Sequence, residues 1–317
     1  MKLDVISYDD LLHITTNQAV LHYLRTALLD KGIVGICNIP EFENQSRAFV
    51  HAARQFSALE DKVKQQYAPD RESGQTEGYE LGAEQFQDQS GKWHTDDKKA
   101  SFYAFVPDNL RNKWPREINL KTPYLELGEL IFNTGKLLLH VIGINHEVGL
   151  AHDSLVGYGR MLHYHKENDA SNIHPNWCGA HVDHGVFTGI IPAYYFRNGK
   201  EVEEPEEAGL YIQASNSHDF EKINASDKSV LLFQVGEFGQ LILHDYIQAT
   251  KHVVKKAKGE IERFTFALFY SAQDHVVVKS RSRLIEDERY AQNQFSDGSI
   301  SYLKWQEASF VRYRARQ

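Results

Sequence analysis

Between residues 161 and 270 the chain is cut into eight short runs of strand-like sequence, and few folds absorb that many strands so closely spaced. The runs are 161–165, 177–183, 186–191, 209–213, 229–235, 240–243, 252–256 and 263–270. Turn-forming stretches separate several of them, such as Arg197-Asn198-Gly199-Lys200 and Lys258-Gly259-Glu260. Short strands punctuated in this way predict an all-β sandwich, barrel or jelly roll.

The residues before this β-rich part read differently. Val20, Leu21, Leu24, Leu28 and Leu29 recur at helical spacing and predict a helix over 17–30. A strand over 32–38 follows, ended by Pro40. Further helices are predicted over 44–58 and 59–67, and the polar stretch 68–101 reads as loop. A long helix is predicted from Pro123, capped by Thr122, to about residue 146. The tail beyond Ser280 is predicted to be helical over 300–314. The organisation is therefore a helical region over 1–159 packing on a β core over 160–280, with a helical tail over 281–317. No Pro/Gly/Ser linker separates these parts, so a single catalytic unit is expected.

Composition removes several classes of partner. The formal net charge of −8 has the wrong sign for neutralising phosphates, so nucleic acid is not expected. The opening residues place acids where a secretion signal needs an apolar run. The apolar stretch 137–144 is broken by His140 and is too short for a bilayer, so no membrane association is expected. Cys37 and Cys178 are too few and too far apart for a disulfide framework. They read as free thiols in a reducing compartment, and a cytoplasmic location is expected.

Sixteen histidines invite a search for metal sites, and they also raise the rate of accidental spacings. In Gly179-Ala180-His181-Val182-Asp183-His184-Gly185, alternate strand side chains share a face, so His181 and Asp183 point the same way. A third ligand from a neighbouring strand would complete one face of an octahedron and leave three positions for exchangeable ligands. That is the two-histidine, one-carboxylate arrangement suited to iron(II) oxygen chemistry. His94-Thr95-Asp96 has the same spacing but sits in the charged stretch 92–99 without strand neighbours and reads as surface loop. Candidates for the third ligand are His218, His244, His252 and His275, of which His252 lies in a short strand-like run.

In the last strand Arg263, Thr265 and Ala267 share one face, and Phe264, Phe266, Leu268 and Tyr270 share the other. An inward guanidinium beside a hydroxyl can grip a carboxylate through several donors. The alternative is that Arg263 pairs with Glu260, Glu262 or another acid at a strand edge. The aromatic run Phe264, Phe266, Phe269 and Tyr270 is read as core packing, His184 as a wall residue, and His163 and His165 as lining the pocket.

Taken in order, these motifs resemble the iron(II)/2-oxoglutarate dioxygenase superfamily. The branch is the one that contains isopenicillin N synthase, plant flavonoid and gibberellin oxygenases and aminocyclopropane-carboxylate oxidase. Residues 179–185 are similar to the family's "GAHTDHG", Gly236-Glu237 leading to His252 to its "GD…HR", and Arg263-Phe264-Thr265 to its "RYS". The early strand over 32–38 and Gly78-Tyr79 resemble its "GFFQVVNH" and "GY" segments.

The resemblance implies a double-stranded β-helix, a cupin-like jelly roll, mainly β with flanking helices. It selects His252 and implies that His181, Asp183 and His252 hold iron(II) at the catalytic centre. Arg263 and Thr265 would bind the distal carboxylate of 2-oxoglutarate, with dioxygen as the other co-substrate. The reaction implied is oxidative decarboxylation of 2-oxoglutarate coupled to hydroxylation or a related oxidation of a small-molecule substrate, with specificity set by loops such as that of Gln85 and Phe86 and by the segment after Ser280.

Two alternatives stay open, an iron(II) oxidase of the isopenicillin N synthase kind that does not use 2-oxoglutarate, and a non-catalytic jelly-roll binding protein. The chain departs from the family in having His163-Tyr164-His165-Lys166 in place of "NYYP", extra residues around 197–207, and Thr265 in place of serine.

Overall fold

Two sheets face each other, and helices cover the outer side of the larger one. The computed structural model describes residues 1–82, 85–87, 93–95, 98–143, 154–166 and 176–313. In chain order the first strands are β1 (Val5–Ser7), β2 (Ile33–Cys37), β3 (Gly78–Leu81), β4 (Gln85–Gln87), β5 (Trp93–Thr95), β6 (Lys99–Val106), β7 (Leu155–Tyr164), β8 (Asn176–His181) and β9 (Phe187–Ile190). They continue with β10 (Tyr194–Arg197), β11 (Lys200–Val202), β12 (Gly209–Gln213), β13 (Glu221–Lys222), β14 (Leu231–Val235), β15 (Lys251–Lys255), β16 (Ile261–Ala272), β17 (Val277–Val278) and β18 (Ile300–Ser301). The helices are α1 (Tyr8–Leu12), α2 (Gln18–Lys31), α3 (Phe42–Ser57), α4 (Asp61–Lys64), α5 (Lys121–Val141), α6 (Glu237–Ile242), α7 (Glu288–Ala291) and α8 (Tyr302–Tyr313).

The large sheet runs β1-β2-β14-β9-β16-β7-β6-β3, with the β10–β11 hairpin attached to β16. The small sheet runs β13-β12-β15-β8. Strands from before residue 107 and strands from after residue 154 thus share one sheet, through β2 on β14 and β6 on β7.

Strand β16 is the spine. It pairs with β7 along its length and, on its other edge, with β10 and then β9. Its alternation sorts the molecule into layers. Phe264, Phe266, Leu268 and Tyr270 pack in one cluster with Phe49 of α3 and Tyr124 and Ile131 of α5. The Phe266 ring lies 4.9 Å from both Phe49 and Tyr124, edge to face. Arg263, Thr265, Ala267 and Phe269 face the space between the sheets. That space is walled by a second cluster, which joins Leu162, Tyr195 and Leu232 of the large sheet to Trp177, Leu210, Ile212 and Val254 of the small one.

Local chemistry explains most boundaries. Asn17 caps α2 by accepting from the Val20 amide at 3.3 Å, and Gly32 closes it at φ 69°, where a side chain would be strained. The expected turn over Arg197–Lys200 is a hairpin with Asn198 and Gly199 at φ 51° and 77°, the geometry that joins two antiparallel strands in two residues.

Several expectations are corrected. The run 240–243 belongs to helix α6, not to a strand; every residue of α6 is buried, and a short apolar run in full burial has no periodicity to distinguish helix from strand. The stretch 68–101 is not all loop, since β3, β4, β5 and the start of β6 lie in it, and His94 is in β5 paired with β4. Thr122 is not the cap of α5: the helix begins at Lys121, and Asn119 accepts from the Thr122 amide at 3.2 Å. That helix ends at Val141, short of the expected 146, with Gly143 at φ 88° just beyond its cap, and Asp96 of the rival motif lies outside the described residues.

His163 and His165 do not line the pocket. They occupy the helix-covered face, where His163 bonds Glu262 at 3.0 Å and stacks between His165 and Phe264 at 4.3 and 4.1 Å. Phe269 is the exception in its aromatic run, half-buried on the cavity wall. Neither cysteine is in a disulfide, and no described helix is long and apolar enough to cross a membrane.

Two outcomes follow from this packing. Phe266→Ala removes a ring from the layer between sheet and helices and is expected to lower the unfolding free energy by about 3–5 kcal/mol. Phe269→Ala should cost clearly less, and equal losses in urea titrations would contradict the assignment of faces.

His165 is held down at about 4 by burial, then by the neighbouring His163. A histidine whose folded pKa is depressed binds fewer protons when folded, so stability is present above about pH 6.5 and is lost as pH falls toward 4. His165→Phe should flatten that loss between pH 7 and 5; parallel pH profiles for the two proteins would refute it.

Candidate metal centre

The site is built where the small sheet meets a buried turn. His181 ends β8 and His252 is the second residue of β15, and the two strands pair with these histidines opposite each other. Their ring centroids are 4.2 Å apart. Asp183 lies just beyond the strand, on a turn held by the first turn of α6. The Glu237 amide donates to the Asp183 carbonyl at 2.7 Å, and the Phe238 amide to the Gly185 carbonyl at 3.0 Å. This explains Gly236, because a Cβ there would stand 2.2 Å from the Gly185 carbonyl oxygen. Backbone meets backbone with no room for a side chain.

His181 Nε2 lies 3.6 Å and His252 Nε2 4.0 Å from the same oxygen, Asp183 Oδ1. One ligand atom from each residue falls within 4.8 Å of the others. The ring orientations are fixed from behind. His181 Nδ1–H donates to the Gly179 carbonyl at 2.8 Å, and His252 Nδ1–H donates to the Thr250 carbonyl at 3.0 Å. Both Nε2 atoms are thereby left for the common point. The other carboxylate oxygen, Oδ2, accepts from Thr188 Oγ1 at 2.6 Å and from Gln234 Nε2 at 2.7 Å.

The electrostatics match this geometry. Burial works to raise the Asp183 pKa, but the hydrogen bond from His181 and the two neighbouring imidazoles hold it well below the usual carboxylate range. His252 is held down at about 4, first by burial and then by His181, so it offers a neutral imidazole at neutral pH. Burial also disfavours charge on His181, but Cys178 and Asp183 outweigh it and favour the protonated ring. A cation entering this site displaces that proton.

The three side chains open into a cavity between the sheets of about 690 Å³, counting its open mouth. Arg263 and Thr265 line the same cavity. Arg263 is buried, its guanidinium stacks 4.9 Å from the Tyr164 ring, and its Nε and Nη1 have no hydrogen-bond partner among the described residues. Neither acid that the sequence left open as its partner takes it. Glu262 bonds His163 on the far face, and Glu260 pairs with Lys166. Two unpartnered donors of a buried fork fit a carboxylate, as two imidazoles and one carboxylate fit iron(II). The Thr265 hydroxyl donates to the Ile191 carbonyl at 2.8 Å, so its hydrogen is engaged by the backbone.

The other candidate histidines stay apart. Among the described residues the group of potential metal ligands contains none of His218, His244 and His275. The ring of His184 packs edge-on against Phe310, 5.2 Å away. Sequence reasoning missed Thr188 and Gln234, the polar residues that brace Asp183. The available signal was a hydrophilic residue inside otherwise apolar runs, Phe187–Ile190 and Leu231–Val235.

No protein-family model matches the chain, and no curated protein matches it by sequence. Solved structures match it almost end to end. A Caulobacter crescentus protein described as of the 2OG-Fe(II) oxygenase family superposes with a TM-score of 0.71 at 19% identity, over 98% of each chain. A full-length Neurospora crassa protein in complex with alpha-KG gives 0.69 at 18% identity, over 98% of this chain and 96% of that one. JOX2 in complex with 2OG, Fe and JA gives 0.69 at 14% identity, over 100% and 87%. The fold is that of the 2OG-Fe(II) oxygenases, a jelly-roll core with flanking helices.

Proposed function

We propose that this chain is an Fe(II)- and 2-oxoglutarate-dependent oxygenase of a small organic molecule, with His181, Asp183 and His252 as metal ligands and Arg263 as the anchor of the co-substrate. The observation that carries the reading is the pair of features in one cavity: three convergent ligands and a buried guanidinium with two unpartnered donors. The second feature calls for a carboxylate, which 2-oxoglutarate supplies. When bound, iron(II) supplies dioxygen activation, which splits 2-oxoglutarate into succinate and carbon dioxide and delivers the second oxygen atom to a substrate C–H bond.

The chain's own residues do the positioning. Thr188 and Gln234 engage Asp183 Oδ2 and turn Oδ1 toward the metal position. Arg263 takes the distal carboxylate against the face of Tyr164, with Thr265 beside it on the cavity wall. Leu162, Leu210, Leu232 and Val254 line the cavity and exclude water from the reacting groups. The same wall carries Arg160 and Phe269, which suit a small substrate with a polar end and an apolar body. JOX2 holds a ligand, JA, together with 2OG and Fe, and we carry over only the class, a small molecule. That Cys37 and Cys178 are not joined in a disulfide accords with a cytoplasmic location.

Anaerobic addition of iron(II) and 2-oxoglutarate is expected to produce a visible metal-to-ligand charge-transfer band. His181→Ala or Asp183→Ala should abolish it through loss of metal. Arg263→Leu should weaken 2-oxoglutarate on the order of 100-fold, the worth of about two charge-assisted hydrogen bonds, with iron affinity unchanged. Iron binding with neither the band nor succinate would replace this reading by the 2-oxoglutarate-independent oxidase. No iron binding at all would leave a binding protein.

A further inference from the structure

We propose that the C-terminal helix α8 is a working part of the metal centre, acting as a brace that sets the position of Asp183 through Trp305 and the Arg289–Glu237 pair; this rests on the metal-site reading above. The contacts hold two consecutive carbonyls, that of Asp183 itself and that of His184. On one side Trp305, fully buried, donates its indole N–H to the carbonyl of His184 at 2.9 Å, one residue past the ligand. On the other, Glu237 places its backbone amide on the Asp183 carbonyl at 2.7 Å while its side chain is gripped by Arg289 at both oxygens, 2.6 and 2.8 Å.

The two contacts are joined within the tail. The Arg289 guanidinium lies 4.2 Å from the Trp305 ring and also donates to Ser309 Oγ, one turn further along α8, at 3.2 Å. Both members of the ion pair are buried, and such a pair tolerates little displacement because a separated charge would be stranded without water. A shift of α8 therefore moves the His184 carbonyl and the amide of Glu237 together. The Asp183 carbonyl is itself one of the two groups so held, and the ligand has to follow. Trp305, Arg289 and Glu237 are positioning residues: none is among the cavity-lining side chains, and each acts through the turn that carries the ligand.

The test uses the full-length apoprotein titrated with cobalt(II), following affinity by calorimetry and coordination by the visible d–d spectrum. Trp305→Phe keeps a ring under Arg289 and removes only the donor to His184. It is expected to weaken cobalt(II) binding by about 10- to 100-fold, the usual penalty for losing a group that orients a ligand, and to alter the d–d spectrum. Glu237→Gln, which keeps the shape and one acceptor oxygen opposite Arg289 but removes the charge, should move both readouts in the same direction and serves if Trp305→Phe folds poorly. Val311→Ala, 71% exposed on the same helix, should match the wild type.

A helix that merely stabilises the fold would lower the melting temperature of the apoproteins and leave cobalt(II) affinity and spectrum untouched. That result in Trp305→Phe and Glu237→Gln overturns the proposal. Wild-type protein that binds no cobalt(II), while His181→Ala behaves identically, overturns the metal-site reading itself and with it this inference.

Discussion

A carboxylate shut between two imidazoles, away from bulk water, is the constraint around which this molecule is arranged. Asp183 has its side chain 10% exposed, and an ionised group so placed is tolerable only when every oxygen is occupied. One oxygen takes hydroxyl and amide donors from Thr188 and Gln234, which sit on adjacent strands β9 and β14. The other faces two ring nitrogens whose far sides are tied to backbone carbonyls. Four strands and one helix terminus contribute to a single charge, so the sheets cannot slide past one another without exposing it unsatisfied.

The same economy governs β16. Its period-two alternation gives the helices a continuous apolar face and gives the cavity an arginine, a threonine and a small alanine. A one-residue slip would send Arg263 into the aromatic layer and Phe264 into the cavity. Ten consecutive pairs with β7 hold the register at the middle of the large sheet. Rigidity in the wall and convergence at the ligands thus have one origin.

How much of this was legible in the chain follows from the range of each signal. Alternation along β16 and the turn at Asn198-Gly199 are local, and both were readable. The convergence of His181, Asp183 and His252 was readable because two lie on one short segment and the third follows a recognisable interval. Full burial hid α6, since an apolar run enclosed on all sides carries no periodicity. Chemistry alone placed His163 and His165 in the pocket, whereas the pleat turns them to the other face, beside Phe264. Long-range bonds such as Gln234 to Asp183 or Arg289 to Glu237 join residues whose relation exists only after folding, and no spacing announces them.

The extra residues between Asp183 and His252 form the β10–β11 hairpin and the segment after it, which places Glu204 on the cavity wall. Glu204 is held by the Tyr195 hydroxyl at 2.9 Å and by Lys222 at 2.9 Å. Burial disfavours the charge of Arg263, Tyr195 and Tyr164 offset that, and Glu204 adds to them from beyond the Tyr195 ring. The insertion therefore works as an electrostatic ballast. It brings a negative charge to the same cavity wall that carries the buried guanidinium, so part of the counter-charge for Arg263 comes from a segment outside the two sheets.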